Sequence, residues 1–197
     1  MSSAPSRSSV DPVAAALRAA AGKVVLAVRE LGATNPVVLI DGRSGAGKST
    51  LARELVAQWP IRGRVQLVAL DNLYPGWDGL AEGVEASRSL ILHPHARGLI
   101  GVWQRWDWDA AGHAEAHAVD PSLPLIVEGS GLLTATTAKL GDIRVWLESP
   151  SPSRKRRALT RDGETYRPHW DRWAEQEERH IARDDPRSHA THLFTVP

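Results

Sequence analysis

The sequence predicts an α/β domain built on a parallel sheet. Short apolar runs at Val37–Asp41, Val65–Leu70, Leu123–Glu128 and Ile143–Leu147 read as strands covered on both faces, with His192–Val196 as a fifth. Helical stretches separate most of them: Lys48–Gln58, roughly Leu80–Leu92, Gly131–Leu140, and Ser153 to about Arg183. A glycine-rich turn sits between the first strand and the first of these helices.

Taken in order, residues 1–10 are rich in Ser and Pro and read as a disordered tail. The remainder, 11–197, has the length of one domain. Asp11 and Pro12 form a helix start, as N-cap and first helical residue. Val13, Leu17, Ala20, Val24, Val28 and Leu31 then recur at helical spacing up to Gly32, and Asn35-Pro36 breaks the pattern.

Composition narrows the function classes. The chain of 197 residues has no cysteine, which excludes disulfides, thiolate metal sites and cysteine nucleophiles. Its 24 basic and 23 acidic side chains leave a net charge of +1, so nothing global points to a nucleic-acid partner. No apolar run approaches the roughly 18 residues that cross a bilayer, and MSSAPSRSSVDP lacks the apolar core of a secretory signal. A cytoplasmic protein with neither nucleic-acid nor membrane partner is expected; oligomeric state is not legible.

The strongest motif is Gly42-Arg43-Ser44-Gly45-Ala46-Gly47-Lys48-Ser49-Thr50, a complete G-x-x-x-x-G-K-[ST] run between strand and helix. Its glycines let several backbone N–H groups converge on a phosphate, and the following helix adds the positive end of its dipole. Lys48 is placed for the β- and γ-phosphates, and the Ser49 hydroxyl for Mg²⁺. All nine residues are therefore candidate ATP contacts.

The marks of other P-loop classes are missing, which puts a small-molecule kinase in the lead. The chain has only two asparagines, Asn35 and Asn72, and neither begins an Asn-Lys-x-Asp guanine reader. No Leu-Ser-Gly-Gly run is present, and the strand at Leu123 ends in Val127-Glu128-Gly129 rather than in Asp-Glu. Asp71, in Leu70-Asp71-Asn72-Leu73-Tyr74, ends a parallel strand and so faces the ligand crevice, as a catalytic carboxylate or as a simple turn residue. Glu128 stands where a metal-shell acid would, or caps the next helix.

Together these segments resemble the uridine kinase and phosphoribulokinase-like P-loop kinases. The likeness rests on the run from Asp41 to Thr50, on Asp71-Asn72-Leu73-Tyr74, on Ile126-Val127-Glu128-Gly129 and on Arg161-Asp162. It implies a five-stranded parallel sheet with helices on both faces, an arginine-rich lid over about 153–166, and ATP-dependent phosphorylation of a hydroxyl, with a nucleoside as one candidate acceptor. By the same resemblance Asp71 matches the catalytic aspartate and Glu128 the acid that positions Mg²⁺. Leu73 stands where the family carries an aromatic.

Arg154, Arg157 and Arg161 fall on one helical face, as a lid over phosphates requires. Arg161 is accordingly a candidate catalytic group with Lys48 and Asp71, Arg157 a candidate ATP contact, and Arg154 a candidate acceptor contact. Between the second and third strands, half of the eight tryptophans fall within residues 77–108. Tyr74, Trp106 and Asp107 are candidate acceptor contacts there, with Asp107 suited to a diol; the competing expectation is a small aromatic core. A non-catalytic nucleotide switch or ATPase, and a sugar or adenylylsulfate kinase, remain open as alternatives.

Overall fold

In the computed structural model, residues 11–197 are described; the expected tail, 1–10, lies outside them. Helix α1, Pro12–Leu31, starts where Asp11 accepts the Val13 amide at 3.0 Å and stops at Gly32 in the left-handed conformation. The Val37–Gly42 strand (β1) leads through the P-loop into α2, Lys48–Ala57. Strand β2, Gln66–Ala69, ends in one tight turn, Leu70–Asn72. Helix α3, Leu80–Ser87, continues through a wider turn at Arg88–Leu92 into the short α4, His93–Ala96. Then come β3, Gly101–Asp107, and β4, Gly112–Val119, followed by β5, Leu125–Glu128, and β6, Ile143–Glu148. Helices α5, Ser151–Tyr166, α6, Trp170–Asp184, and α7, Pro186–His189, precede β7, His192–Thr195.

The five expected strands form one parallel sheet in the order β2-β5-β1-β6-β7. Their side chains serve two cores. Val38, Ile40, Ile126 and Val145 pack against α1 and α2, while Val37, Leu39, Leu125 and Val127 pack on the opposite side with Tyr74, Trp103, Trp170 and Trp173. Burying each such side chain is worth about 1.5–3 kcal/mol, which is why these strands read as continuous apolar runs.

Two elements differ from expectation. The β3–β4 pair is an antiparallel hairpin, separate from the main sheet, in a stretch for which no strands were predicted. Its β4 sequence, GHAEAHAV, is short in β-branched residues and gives little propensity signal. The expected helix over Gly131–Leu140 is reduced to one turn at Thr137–Leu140. The cause is Asp41: its carboxylate takes the Gly131 amide at 2.9 Å and the Leu133 amide at 2.7 Å, and this holds the chain in a loop.

Asp41 is fully buried at the end of β1 and also meets His180 Nε2 of α6 at 3.2 Å. On its other side His180 Nδ1 meets Asp184 at 2.9 Å, and Arg183 pairs with that same carboxylate. Burial opposes a charge on His180, yet Asp41 and Asp184 outweigh it and raise its pKa above the ordinary value. A raised native pKa contributes stability that is full below the unfolded value of about 6.5 and is lost as the pH climbs through the native value. The melting temperature of the wild-type chain should therefore exceed that of His180→Gln most in mild acid. The gap should narrow as the pH rises past neutrality; a gap that widens would contradict the assignment.

Candidate active site

Three adjacent strands deliver the site at their carboxyl ends, where ligands of open α/β sheets bind. In register, Glu128 of β5 lies between Ile40 of β1 and Ala69 of β2. The P-loop follows β1, and Asp71 follows β2 by two residues. The cradle itself depends on glycine. At Gly45 the backbone is left-handed (φ 76°), and a Cβ there would lie 2.2 Å from the Arg154 carbonyl oxygen of α5.

Two cavities meet at this crevice. The smaller, about 220 Å³, is lined by Gly45, Gly47, Lys48, Ser49, Thr50, Arg53, Arg157, Ala158 and Arg161. With four cationic side chains and the α2 N-terminus, it suits phosphate oxygens. The larger, about 570 Å³, is lined by Asp71, Asn72, Trp77, Trp108, Asp162, Thr165, Trp173, the rings of Tyr74 and Tyr166, and Ser44. Ser49, Arg53 and Arg161 line both.

Lys48 rests against the Arg43 carbonyl at 3.3 Å and the Ser130 hydroxyl at 3.1 Å, so its ammonium is already held at the cradle. Burial raises the Glu128 carboxyl; the Lys48 charge pulls it back, Asp71 pushes it up, and the Ser49 hydroxyl and Arg161 lower it. Ser49 lines both cavities, Asp71 lines the larger one, and Glu128 ends β5 next to Ala69 of β2. A hydroxyl and carboxylates are hard oxygen donors, and the set fits Mg²⁺, with Ser49 and Glu128 as the residues that would hold it.

Several side chains stand elsewhere than expected. Asp107 accepts the Asp109 and Ala110 amides at 3.0 and 2.9 Å and pairs with Arg105, so it closes the β3–β4 turn instead of lining a cavity. Trp106 meets His113 edge-on within the hairpin, with ring centroids 5.5 Å apart. A bulge between Gln104 and Trp106 shifts the register just before both residues. Arg154 is buried and donates to the Ser149 and Ser44 carbonyls, each at 3.1 Å, so it braces the P-loop and reaches neither cavity. The Tyr74 hydroxyl is spent on the Ser130 carbonyl at 2.7 Å, leaving only its ring to the larger cavity. Arg43 turns away from the cradle to pair with Glu177 and Glu178. Arg157 lines the smaller cavity while donating to the Gly45 carbonyl at 2.8 Å. Ala46 is fully buried.

Trp77 and Trp108, from the tryptophan-rich stretch, wall the larger cavity, and Trp77 stacks on His169 at 4.4 Å and on Tyr166 at 5.3 Å. Other residues were missed: Trp173 and Tyr166 complete that wall. The Trp108 indole reaches the Asp71 carbonyl at 2.8 Å, which fixes the hairpin to the β2 end. Tyr166 and Trp173 lie nearly a hundred residues from Trp77, so no local pattern joins them. Glu177 was missed as well. It is a buried acid in a run of charge, and only its helical spacing to Trp170, Trp173 and His180 hints at an inward face.

No family model matches the chain, and no curated protein matches its sequence. Solved structures do match. A possible uridine kinase from Bacillus stearothermophilus superposes with a TM-score of 0.67 at 19% identity, covering 90% of this chain and 98% of that one. A candidate fructose transport system kinase from Silicibacter sp. TM1040 gives 0.56 at 18% identity, again over 90% and 98%. The fold is that of the P-loop kinases. Both neighbours are matched over nearly their whole length.

If Arg154 braces the P-loop, Arg154→Met leaves two carbonyls without a donor. The expected loss is about 1–3 kcal/mol of stability, read from the denaturant midpoint. An acceptor-binding arginine would instead leave the midpoint in place.

Proposed function

We propose that the chain is an ATP- and Mg²⁺-dependent kinase that moves the γ-phosphoryl group onto a hydroxyl of a small molecule bearing a flat ring, with nucleosides the leading class. The observation that carries this is the junction of a cationic cavity and an aromatic-walled cavity across Ser49, Arg53 and Arg161, with Asp71 on the acceptor side. A switch or simple ATPase has no use for the second cavity. Stacking between Trp77, Trp108 and Trp173 suits a planar ring, and a sugar face is the next best fit. The Bacillus neighbour's name favours the first and the Silicibacter neighbour's name the second.

In this reading the P-loop amides and Lys48 hold the phosphates, and Lys48 gains strength as charge shifts toward the leaving oxygen. Mg²⁺, when bound at Ser49 and Glu128, neutralises phosphate charge. Asp71 orients the acceptor hydroxyl and takes its proton. Arg157 and Arg161 approach from α5, which is docked on the P-loop through Arg154 and Arg157 before its kink and acts as a lid beyond it. Its interior holds Gly163 at φ 59°, ψ −136°, a conformation open essentially only to glycine, and this kink is the hinge.

A screen of nucleosides, sugars and other alcohols with ATP–Mg tests the proposal: ADP release should require one class of acceptor. Release that ignores every acceptor would indicate an ATPase. Asp71→Asn should lower turnover roughly 10²–10⁴-fold with nucleotide affinity nearly intact, since proton transfer contributes about that much. Equal losses in both would make Asp71 a metal or structural group. Lys48→Ala should lose about 2–4 kcal/mol of transition-state stabilisation, measured as kcat/KM, and near-normal turnover would remove Lys48 from the mechanism.

A further inference from the structure

Helix α6 grips both sides of the crevice with neighbouring side chains. Gln176 accepts the Leu80 amide at 3.3 Å and donates to the Trp77 carbonyl at 2.7 Å. The next residue, Glu177, accepts the Ser44 amide at 2.6 Å, the Ser130 hydroxyl at 3.0 Å and Arg43 Nε at 3.3 Å. Each grip is reinforced one turn away. On the acceptor side Arg172 holds Asp78, and on the P-loop side His180 holds Asp41.

Glu177 is only 3% exposed. A carboxylate so far from water is tolerated only while its partners stay in place. Its bond to Ser44 therefore constrains the P-loop backbone as well as the helix. A helix is stiff along its axis, with every backbone bond made internally. A restraint applied at Glu177 is thus felt at Gln176.

We propose that Gln176 and Glu177 are positioning residues that set the spacing between the phosphate cradle and the acceptor cavity. This rests on the kinase reading above. Neither side chain needs to touch a reactant; each holds the loop that does. The demand for such a brace is geometric, because a misplacement of about 1 Å between reacting groups costs roughly 10²-fold in rate. Cradle and acceptor wall lie on separate loops, after β1 and after β2, and the Gln176–Glu177 step joins them directly.

Hydrogen exchange with ADP–Mg as the probe tests this without an identified acceptor. In the wild-type chain ADP–Mg should slow amide exchange at the P-loop and also over residues 76–83. In Glu177→Ala calorimetry should still show ADP–Mg binding, and the slowing over 76–83 should be lost. Glu177→Gln keeps an acceptor for the Ser44 amide and should restore the slowing, which a general folding defect would not allow. If Glu177→Ala does not fold, Gln176→Leu cuts the brace at its other end and should lose the ligand-dependent slowing too. Slowing that persists in either cut variant overturns the proposal, as does its absence in wild-type chain with ADP–Mg bound. Failure of the wild-type chain to bind ADP–Mg would instead overturn the kinase reading, and the brace with it.

Discussion

The Asp41 carboxylate lies wholly out of water at the end of β1 and gathers three segments. It accepts the Gly42, Gly131 and Leu133 amides and faces His180 of α6. Moving a carboxylate inside costs several kcal/mol even after relaxation, and it is tolerated only when counter-charge and donors are both supplied. Here the backbone supplies donors, and the imidazole of His180 faces the acid at 3.2 Å. The strand that leads into the P-loop, the loop after β5 and α6 are thereby fixed to one point. Ser130, on that loop, is then in place to take Lys48; without Asp41 the loop would be free to wind into the helix its sequence suggests.

Charge is divided across the crevice. Arg53, Arg157, Arg161 and Lys48 surround the smaller cavity, while Asp71 and Glu128 sit at the strand ends. Burial is the larger influence on Glu128 and raises it in spite of Lys48. The acid end of the crevice offers carboxylate oxygens, hard donors of the kind that a divalent cation takes. The opposite end has cations beyond what its own carboxylates neutralise, a condition that favours an anion. A magnesium-bound polyphosphate matches both ends in one ligand, which is why the proposed function rests on the two halves together.

Much of the fold was legible because its signals are local. Parallel strands buried on both faces leave unbroken apolar runs, and the P-loop's backbone geometry demands glycine at set intervals, so β1, α2 and the strand ends could be read directly. The hairpin was not legible, since β4 pairs polar and small residues whose strand conformation comes from β3 rather than from propensity. Asp107 and Trp106 misled for a related reason. Acid and aromatic side chains near a tryptophan cluster suit a binding site, but the bulge at Arg105 and the tight turn after Asp107 commit them to the hairpin itself. The face of Arg154, Arg157 and Arg161 was read correctly as a face; which arginine reaches a cavity depends on its depth along α5. Arg154, nearest the P-loop backbone, is consumed by carbonyls, while Arg161, a turn and more beyond, stays at the junction of the cavities.

The aromatic wall of the larger cavity would set a limit on the selectivity of the proposed reaction. Trp77, Trp108 and Trp173 offer flat apolar surface, which gains energy from any planar ring and separates close analogues only weakly. Discrimination by large factors comes from buried polar groups left unpaired by the wrong ligand. In this cavity the polar side chains are Ser44, Ser49, Arg53 and Arg161 on the phosphate side, and Asn72, Asp162 and Thr165 beside Asp71. Asp162 is already engaged by Arg161 through two bonds, at 2.7 and 2.6 Å, and Thr165 lies beyond the Gly163 kink of α5. Asn72 is the neutral amide of this set, one residue from Asp71. An amide presents both a donor and an acceptor edge, so it can pair with a ring amide or a vicinal diol but not with a plain alkyl alcohol. In the proposed reading stacking holds a ring, and Asn72, with the Ser44 and Ser49 hydroxyls, supplies the polar contacts that choose among rings.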